Sequence, residues 1–211
     1  MTTTRPADLN HVYSDMYSPT MDSAHGPAAI KMPAATMIDR AASGEAELVY
    51  IYNGDEPVGG SLIVYDSGSP RLLSMGILHG DRVHLRAGVG DAIYLFSFRH
   101  LLSRGFGRVD IGRTRPFLND GTLYYKRRLG MRLSSASKNG FFLKFLKQNR
   151  AVEDFICANP FVYSDRSALK GVACFREESE RDAAAGQQVP GLADFALIDI
   201  REGIPQSPGQ L

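Results

Sequence analysis

The run Glu47-Leu48-Val49-Tyr50-Ile51-Tyr52-Asn53-Gly54-Asp55-Glu56-Pro57-Val58-Gly59-Gly60-Ser61-Leu62-Ile63-Val64-Tyr65 decides the fold class. Two stretches rich in β-branched and aromatic residues, 47–53 and 57–65, flank the turn Asn53-Gly54-Asp55-Glu56. A polar glycine turn between two such runs predicts a hairpin, because glycine takes the positive φ that matches the twist of paired strands. The turn residues Ser67-Gly68-Ser69-Pro70 then lead to a third β-rich run, Arg71 to Leu78, so an antiparallel meander is expected.

Working outward toward the amino terminus, Leu9, Val12, Tyr13, Met16 and Tyr17 recur at helical spacing between Asp8 and Tyr17, and Pro19 interrupts the pattern. The stretch Ser18 to Pro33 holds Pro19, His25, Gly26, Pro27 and Pro33 and predicts a loop, followed by a helix over Ala34 to Ser43 that Gly44 stops.

Toward the carboxyl terminus, Ala92 to Arg104 carries Ile93, Leu95, Phe96, Phe98, Leu101 and Leu102, with Gly105 where a helix-ending glycine belongs. A short strand at Val109 to Gly112, a helix at Leu123 to Arg128 ending at Gly130, and a strand at Phe141 to Phe145 follow. Arg150 to Ala158 predicts a helix that closes before Asn159-Pro160, and Leu169 to Phe175 a last strand. Beyond Arg176 the sequence is polar, and Gly203 to Leu211 is rich in Gly, Pro and Gln, so a mobile tail is expected with one sticky patch, Phe195 to Ile200, able to dock back as a strand. The domain boundaries drawn from this pattern are a tail at 1–10, one mixed α/β domain at 11–176 and a polar tail at 177–211.

The 211 residues suit one core, and the 44% apolar content is enough to bury it. Lys and Arg number 24 against 23 Asp and Glu, which gives no global electrostatic case for DNA or an anionic membrane. Cys157 and Cys174 lack CxxC spacing and nearby histidines, which argues against a zinc site or disulfide scaffold. The first ten residues carry no apolar stretch of signal-peptide length and no later stretch is long enough to span a bilayer, so a cytoplasmic address is expected.

Chemistry-bearing groups crowd Asp110-Ile111-Gly112-Arg113-Thr114-Arg115-Pro116-Phe117-Leu118-Asn119-Asp120-Gly121-Thr122-Leu123-Tyr124-Tyr125-Lys126-Arg127-Arg128-Leu129-Gly130. A buried strand delivering Asp110 and Arg113 to its carboxyl end would put them where ligands of open sheets bind. Alternatively Asp110 pairs with Arg113 or Arg115, and Arg127 and Arg128 form the solvated face of a short helix, the reading preferred for those two. Arg113 and Arg115 suit bidentate recognition of a phosphate or carboxylate. His25 has the chemistry of a general base, with a structural histidine as the alternative.

The pattern strand, D-x-G-R-x-R-P, acidic-Gly turn, aromatic-Lys-x-x-apolar-Gly resembles the carboxyl-terminal GNAT-fold domain of Fem-like transferases. Met16-Tyr17-Ser18-Pro19 with Ala24-His25-Gly26, and the helix at Arg150 to Ala158 with Asn159-Pro160, are similar to further segments of those relatives, so the resemblance covers about residues 12 to 175. It implies a GNAT-like fold with a mainly antiparallel central sheet flanked by helices, as a single domain with a flexible carboxyl-terminal tail.

The implied activity is attack by a small amine or peptide acceptor on an activated acyl carbon, with no tightly bound cofactor. The donor alternatives are acyl-CoA, an acyl carrier protein and aminoacyl-tRNA. Lys126 matches the motif lysine, which the resemblance places in the donor channel, where a fixed cation beside the acyl oxygen would stabilise the oxyanion by about 3 kcal/mol; a surface lysine is the alternative. Tyr125 takes the preceding aromatic place as donor to a leaving group or as packing, Asp110 orients Arg113 or accepts a proton, and Arg113, Arg115, Asn119 and His25 are the substrate-binding candidates.

GNAT enzymes that use acetyl-CoA usually carry Q/R-x-x-G-x-G/A before their main helix, and this chain has Leu85-Arg86-Ala87-Gly88-Val89-Gly90 there. Arg86, Gly88 and Gly90 are the donor-binding candidates, with Leu85 departing at the first position. Fem-like enzymes have two GNAT repeats and this chain has room for one, so their acceptor cleft would be absent or rebuilt by a homodimer. A thioester donor is preferred, with an aminoacyl-tRNA-dependent transferase and a non-catalytic module as alternatives.

Overall fold

A computed structural model describes residues 2–3, 6–65, 68–134, 143–147 and 149–203. The chain divides at Gly112 into two compact units, Met1–Gly112 and Arg113–Leu211, where the sequence reading drew one domain over 11–176.

The first unit runs β1 (Thr2–Thr3), α1 (Pro6–His11), a π-helical segment (Val12–Tyr17), α2 (Ser18–His25), a 3-10 turn (Gly26–Ala28), α3 (Ala34–Ala42), β2 (Ala46–Asn53), β3 (Glu56–Val64), β4 (Arg71–Ile77), a 3-10 turn (Leu78–Gly80), α4 (Arg82–Arg86) and α5 (Val89–Ser103). Its sheet has the order β1-β2-β3-β4 with every pairing antiparallel, so the expected meander is present. One difference is the stretch after Ser18, which is the helix α2 and not a loop. Pro19 stands in its first turn, where the missing N–H has no acceptor in any helix, and the wider turns of the π segment let the chain run through the proline. A second difference is β1, which pairs with Val49 and Leu48 inside the stretch expected as a tail.

Both faces of this sheet are covered. On one face Leu48, Tyr50, Leu62 and Val64 pack with Leu9, Val12 and Met16 and with Met37 and Ala41 of α3. Each fully buried side chain of this kind contributes about 1.5–3 kcal/mol. The π segment sits almost on the backbone of β4: a Cβ on Gly76 would lie 2.4 Å from the Tyr17 nitrogen. On the other face lies α5, and a Cβ on Gly59 would lie 2.8 Å from Val89 Cγ1. Bare backbone at these two positions is what lets the helices approach so closely.

The carboxyl end of α5 is closed twice over. Gly105 N–H donates to the Leu102 carbonyl at 2.9 Å and Phe106 N–H to the Leu101 carbonyl at 3.1 Å, the Schellman pattern that satisfies the last carbonyls. Beside it, Glu47 Oε1 accepts from Tyr65 Oη and from Arg104 NH1 at 2.6 Å, and His100 Nε2 lies 2.7 Å away. Burial pushes the Glu47 carboxyl up, but the hydrogen bonds from Tyr65 and His100 and the charges of His100 and Arg104 outweigh it and hold the group below its ordinary value of 4.5. Burial, then the Glu47 carboxylate, raises the Tyr65 phenol, so it stays a donor.

The second unit contains α6 (Gly121–Arg128), α7 (Arg150–Ala158), β5 (Phe161–Asp165), β6 (Ala168–Phe175), a 3-10 turn (Glu178–Glu180), α8 (Arg181–Ala185), β7 (Asp194–Asp199) and a 3-10 turn (Ile200–Glu202). β5 and β6 form an antiparallel hairpin, and β7 joins β6 in parallel, so the patch at 195–200 does dock as a strand. The stretch after Arg176, expected to be mobile, is therefore structured through Glu202, held by Val189 in a cluster with Leu118 and Leu123 and by Ile200 in one with Ile156 and Val172. Of the strand expected at 141–145, residues 141 and 142 lie outside the described residues and 143–145 form no strand. Val109 to Gly112 reduces to one parallel bridge, Asp110 with Arg71. The fold class is thus the mixed α/β one expected, with antiparallel and mixed sheets flanked by helices.

Candidate functional site

The end of β4 is the most constrained backbone in the first unit. Its last residue, Ile77, is held by Thr20 of α2, whose Oγ1 accepts the Ile77 N–H at 2.8 Å and donates to the Ile77 carbonyl at 3.2 Å. The chain then turns through Leu78, buried, His79 at φ +54° and ψ +13°, and Gly80 at φ +63°. A Cβ on Gly80 would lie 2.5 Å from the Pro19 carbonyl oxygen. α2 thus seats the turn from two sides, at Ile77 and at Gly80.

Asp81 starts α4 by accepting the Val83 N–H at 2.8 Å, and α4 leads to Gly88, which stands at the start of α5 with φ +86°. No side chain caps this start. The first-turn N–H groups of a helix lack acceptors within it and carry the positive end of the helix dipole, so an uncapped start is fitted to an anion such as a phosphate. Gly59 links this start to the end of β4: it pairs with Ile77 in the ladder and carries Val89 above it. The two features therefore stand about 5 Å apart, one strand spacing.

Of the residues expected at the donor turn, Gly88 and Gly90 lie together at the start of α5, with Arg86 exposed at the end of α4. His25 is exposed at the last position of α2. Asp110 is exposed, its Oδ1 accepts the Gly112 N–H at 2.8 Å, and its backbone joins Pro70 and Leu72 at the opposite end of β4 from Ile77.

The other candidates belong to the second unit. Arg113 and Arg115 are exposed, and Asn119 Nδ2 donates to the Ala158 carbonyl at 2.6 Å, tying its loop to the end of α7. Tyr125 is half-buried on α6. Lys126 is 5% exposed and its Nζ donates to the Arg113 carbonyl at 3.1 Å, so it anchors the loop that carries both arginines. The sequence segment 110–130 is therefore split by the division at Gly112.

Thr20 and His79 were missed. Thr20 sat inside a predicted loop, where nothing marks a hydroxyl as a strand clamp, whereas a histidine directly before Gly80 at the end of a predicted strand was a usable signal. A cleft of about 570 Å³ lies elsewhere, between β2 and α5, lined by residues including Tyr52, Phe96, Arg99 and His100, and none of the sequence-derived candidates borders it. Among the described residues no group of three or more His, Cys, Asp or Glu is placed to hold a metal ion, and no helix is long and apolar enough to cross a membrane.

The family model described as an acetyltransferase (GNAT) domain matches residues 2–127, more than half of the chain. The chain belongs to the GNAT acetyltransferase family. A solved structure of a GCN5-related N-acetyltransferase from Ralstonia eutropha JMP134 is similar at 16% identity over 67% of this chain and 96% of that one, with a TM-score of 0.45. Comparison with curated proteins returns no match. The GNAT assignment supports acyl transfer in general, from an acyl donor to an amine acceptor, and the matched span takes in the β4 exit, the α5 start and all but the last residue of α6.

Proposed function

We propose that this GNAT protein is an N-acyltransferase that takes its acyl group from a thioester, acyl-CoA first and acyl carrier protein second, and passes it to a small amine or peptide amine. The observation that carries this reading is the uncapped start of α5, where Gly88 in the left-handed region turns the chain so that the first-turn N–H groups face a phosphate. Arg86 adds a cation beside it that can pair with a second phosphate oxygen. The Fem-like alternative, with aminoacyl-tRNA as donor, needs a broad basic surface, and the net charge of +1 offers little support for one.

The chemistry needs the acceptor ammonium to lose a proton, the amine to attack the acyl carbon, and the oxyanion of the tetrahedral intermediate to be met by a donor. Lys126 fits a positioning role, holding the Arg113 to Arg115 loop through the Arg113 carbonyl. Asp110, Tyr125, Arg113 and Arg115 complete the proposed acceptor side, with Asn119 fixing their loop and His25 at its edge.

Turnover of a panel of amines with acetyl-CoA, longer acyl-CoA, acyl carrier protein and charged tRNA tests the reading. Thioester-dependent turnover whose donor KM rises about tenfold in Arg86→Gln, with kcat held, is the expected result. Turnover with charged tRNA alone, falling steeply with salt, would replace it by the Fem-like alternative.

A further inference from the structure

Among the described residues only His79 and Arg166 are non-glycine residues at positive φ. Arg166 occupies the tip of the β5–β6 hairpin, where a left-handed residue is ordinary turn chemistry. His79 is different. It follows the last residue of β4, it is exposed, and the backbone on both sides of it is fixed from outside the turn. Thr20 clamps Ile77 through two hydrogen bonds, and Pro19 packs against Gly80 too closely for a side chain there. A strained conformation persists only where the surroundings over-determine it, and such positions gather at functional sites. Glycine would occupy this position without strain, so a histidine here lowers stability for something its ring does.

The position supplies a use. His79 stands at the end of β4 and the donor turn at the start of α5, with Gly59 joining the two. Imidazole is the side chain that takes up and releases protons near neutral pH. The carboxylates beside it have other tasks: Asp22 on α2 is paired with Lys31 at 2.6 Å, and Asp81 caps α4.

We propose that His79 is the general base that removes the proton from the acceptor ammonium, an assignment that rests on the acyl-transfer reading above. The ammonium gives one proton to the imidazole, and the neutral amine then attacks the thioester carbon to form the C–N bond. Collapse of the tetrahedral intermediate breaks the C–S bond, and the second amine proton leaves with the thiolate as thiol. The imidazolium returns its proton to solvent. The left-handed backbone sets the direction of the ring, and the clamp at Thr20 keeps it there.

The test compares His79→Gly and His79→Asn with the wild-type protein, using the thioester and amine that the wild type turns over best. Both substitutions tolerate the left-handed conformation. Removal of a general base is expected to lower kcat about 100-fold or more, with the melting temperature unchanged or raised in His79→Gly and donor KM within a factor of two or so. Free imidazole added to His79→Gly should restore at least about a tenth of the lost rate. Retained turnover in His79→Gly overturns the assignment while leaving acyl transfer standing. Lost turnover that imidazole does not restore overturns it as well, because the ring then acts by position and not as a base. A wild-type protein inert with every thioester defeats the acyl-transfer reading, and the role of His79 falls with it.

Discussion

The two ends of α5 are built on opposite principles. At its carboxyl end the Schellman turn at Gly105 uses the last carbonyls, and Glu47 gathers Tyr65, His100 and Arg104. His100 and Arg104 also place basic groups at the negative end of the helix dipole. At its amino end no side chain caps the helix, Gly88 is left-handed, and the neighbouring strand exit carries a histidine in a conformation better suited to glycine. One end spends its polar groups internally and the other keeps them available, so the first should govern stability and the second turnover.

Breaking the closed end is expected to give the largest stability loss. Glu47 is 16% exposed at the side chain, and Glu47→Ala leaves His100 and Arg104 without their shared acceptor. Removing one partner of a largely buried charged cluster costs about 3 kcal/mol, measurable by urea denaturation, with donor KM unaltered. A large change in donor KM would show that the two ends are coupled.

The same cluster predicts a pH dependence. The folded Glu47 carboxyl lies below 4.5, so its contribution to stability is fully present above that value. It is lost as pH falls below 4.5 and through the lower folded-state value, because the protonated acid cannot hold its cationic partners. Wild type should lose stability across that window, and Glu47→Gln should lose about 2 kcal/mol at neutral pH and show a shallower acid slope. Parallel acid curves for the two proteins would assign the acid sensitivity to other carboxylates.

Legibility in the sequence followed the same division. The closed end was readable because its signals are local: the apolar face from Ile93 to Leu102 and Gly105 behind it specify a helix and its stop. The meander was readable for the same reason, from Asn53-Gly54-Asp55-Glu56 and the turn before Arg71. What escaped were features made by approach of distant segments. Pro19 read as a break, yet the π segment and the bare backbone of Gly76 accommodate a helix through it. Asp110, Arg113 and Lys126 drew attention because charged residues crowd one stretch, whereas Thr20 and His79 owe their roles to contacts that join α2 to β4, with 57 positions separating Thr20 from Ile77. Arg86, Gly88 and Gly90 were found because the anion-binding start of a helix is local once more.

The sharpest comparison uses two glycines of nearly identical conformation. Gly88 has φ +86° at the start of α5 and Gly105 has φ +85° after its end, and no atom lies within 4 Å of where a Cβ would be placed on either. Alanine at each position therefore meets only the backbone penalty for a left-handed residue, about 1–2 kcal/mol, and the two variants should melt within a few degrees of each other. Their kinetics should separate. Gly105→Ala leaves the amino end of α5 intact and should keep donor KM and kcat. Gly88→Ala draws φ away from the left-handed region and turns the first-turn N–H groups aside, so donor KM should rise about tenfold, the equivalent of one hydrogen bond to a charged group. Equal KM in the two variants would remove the start of α5 from the donor site, and because their stability costs match, general loosening of the helix could not account for a difference between them.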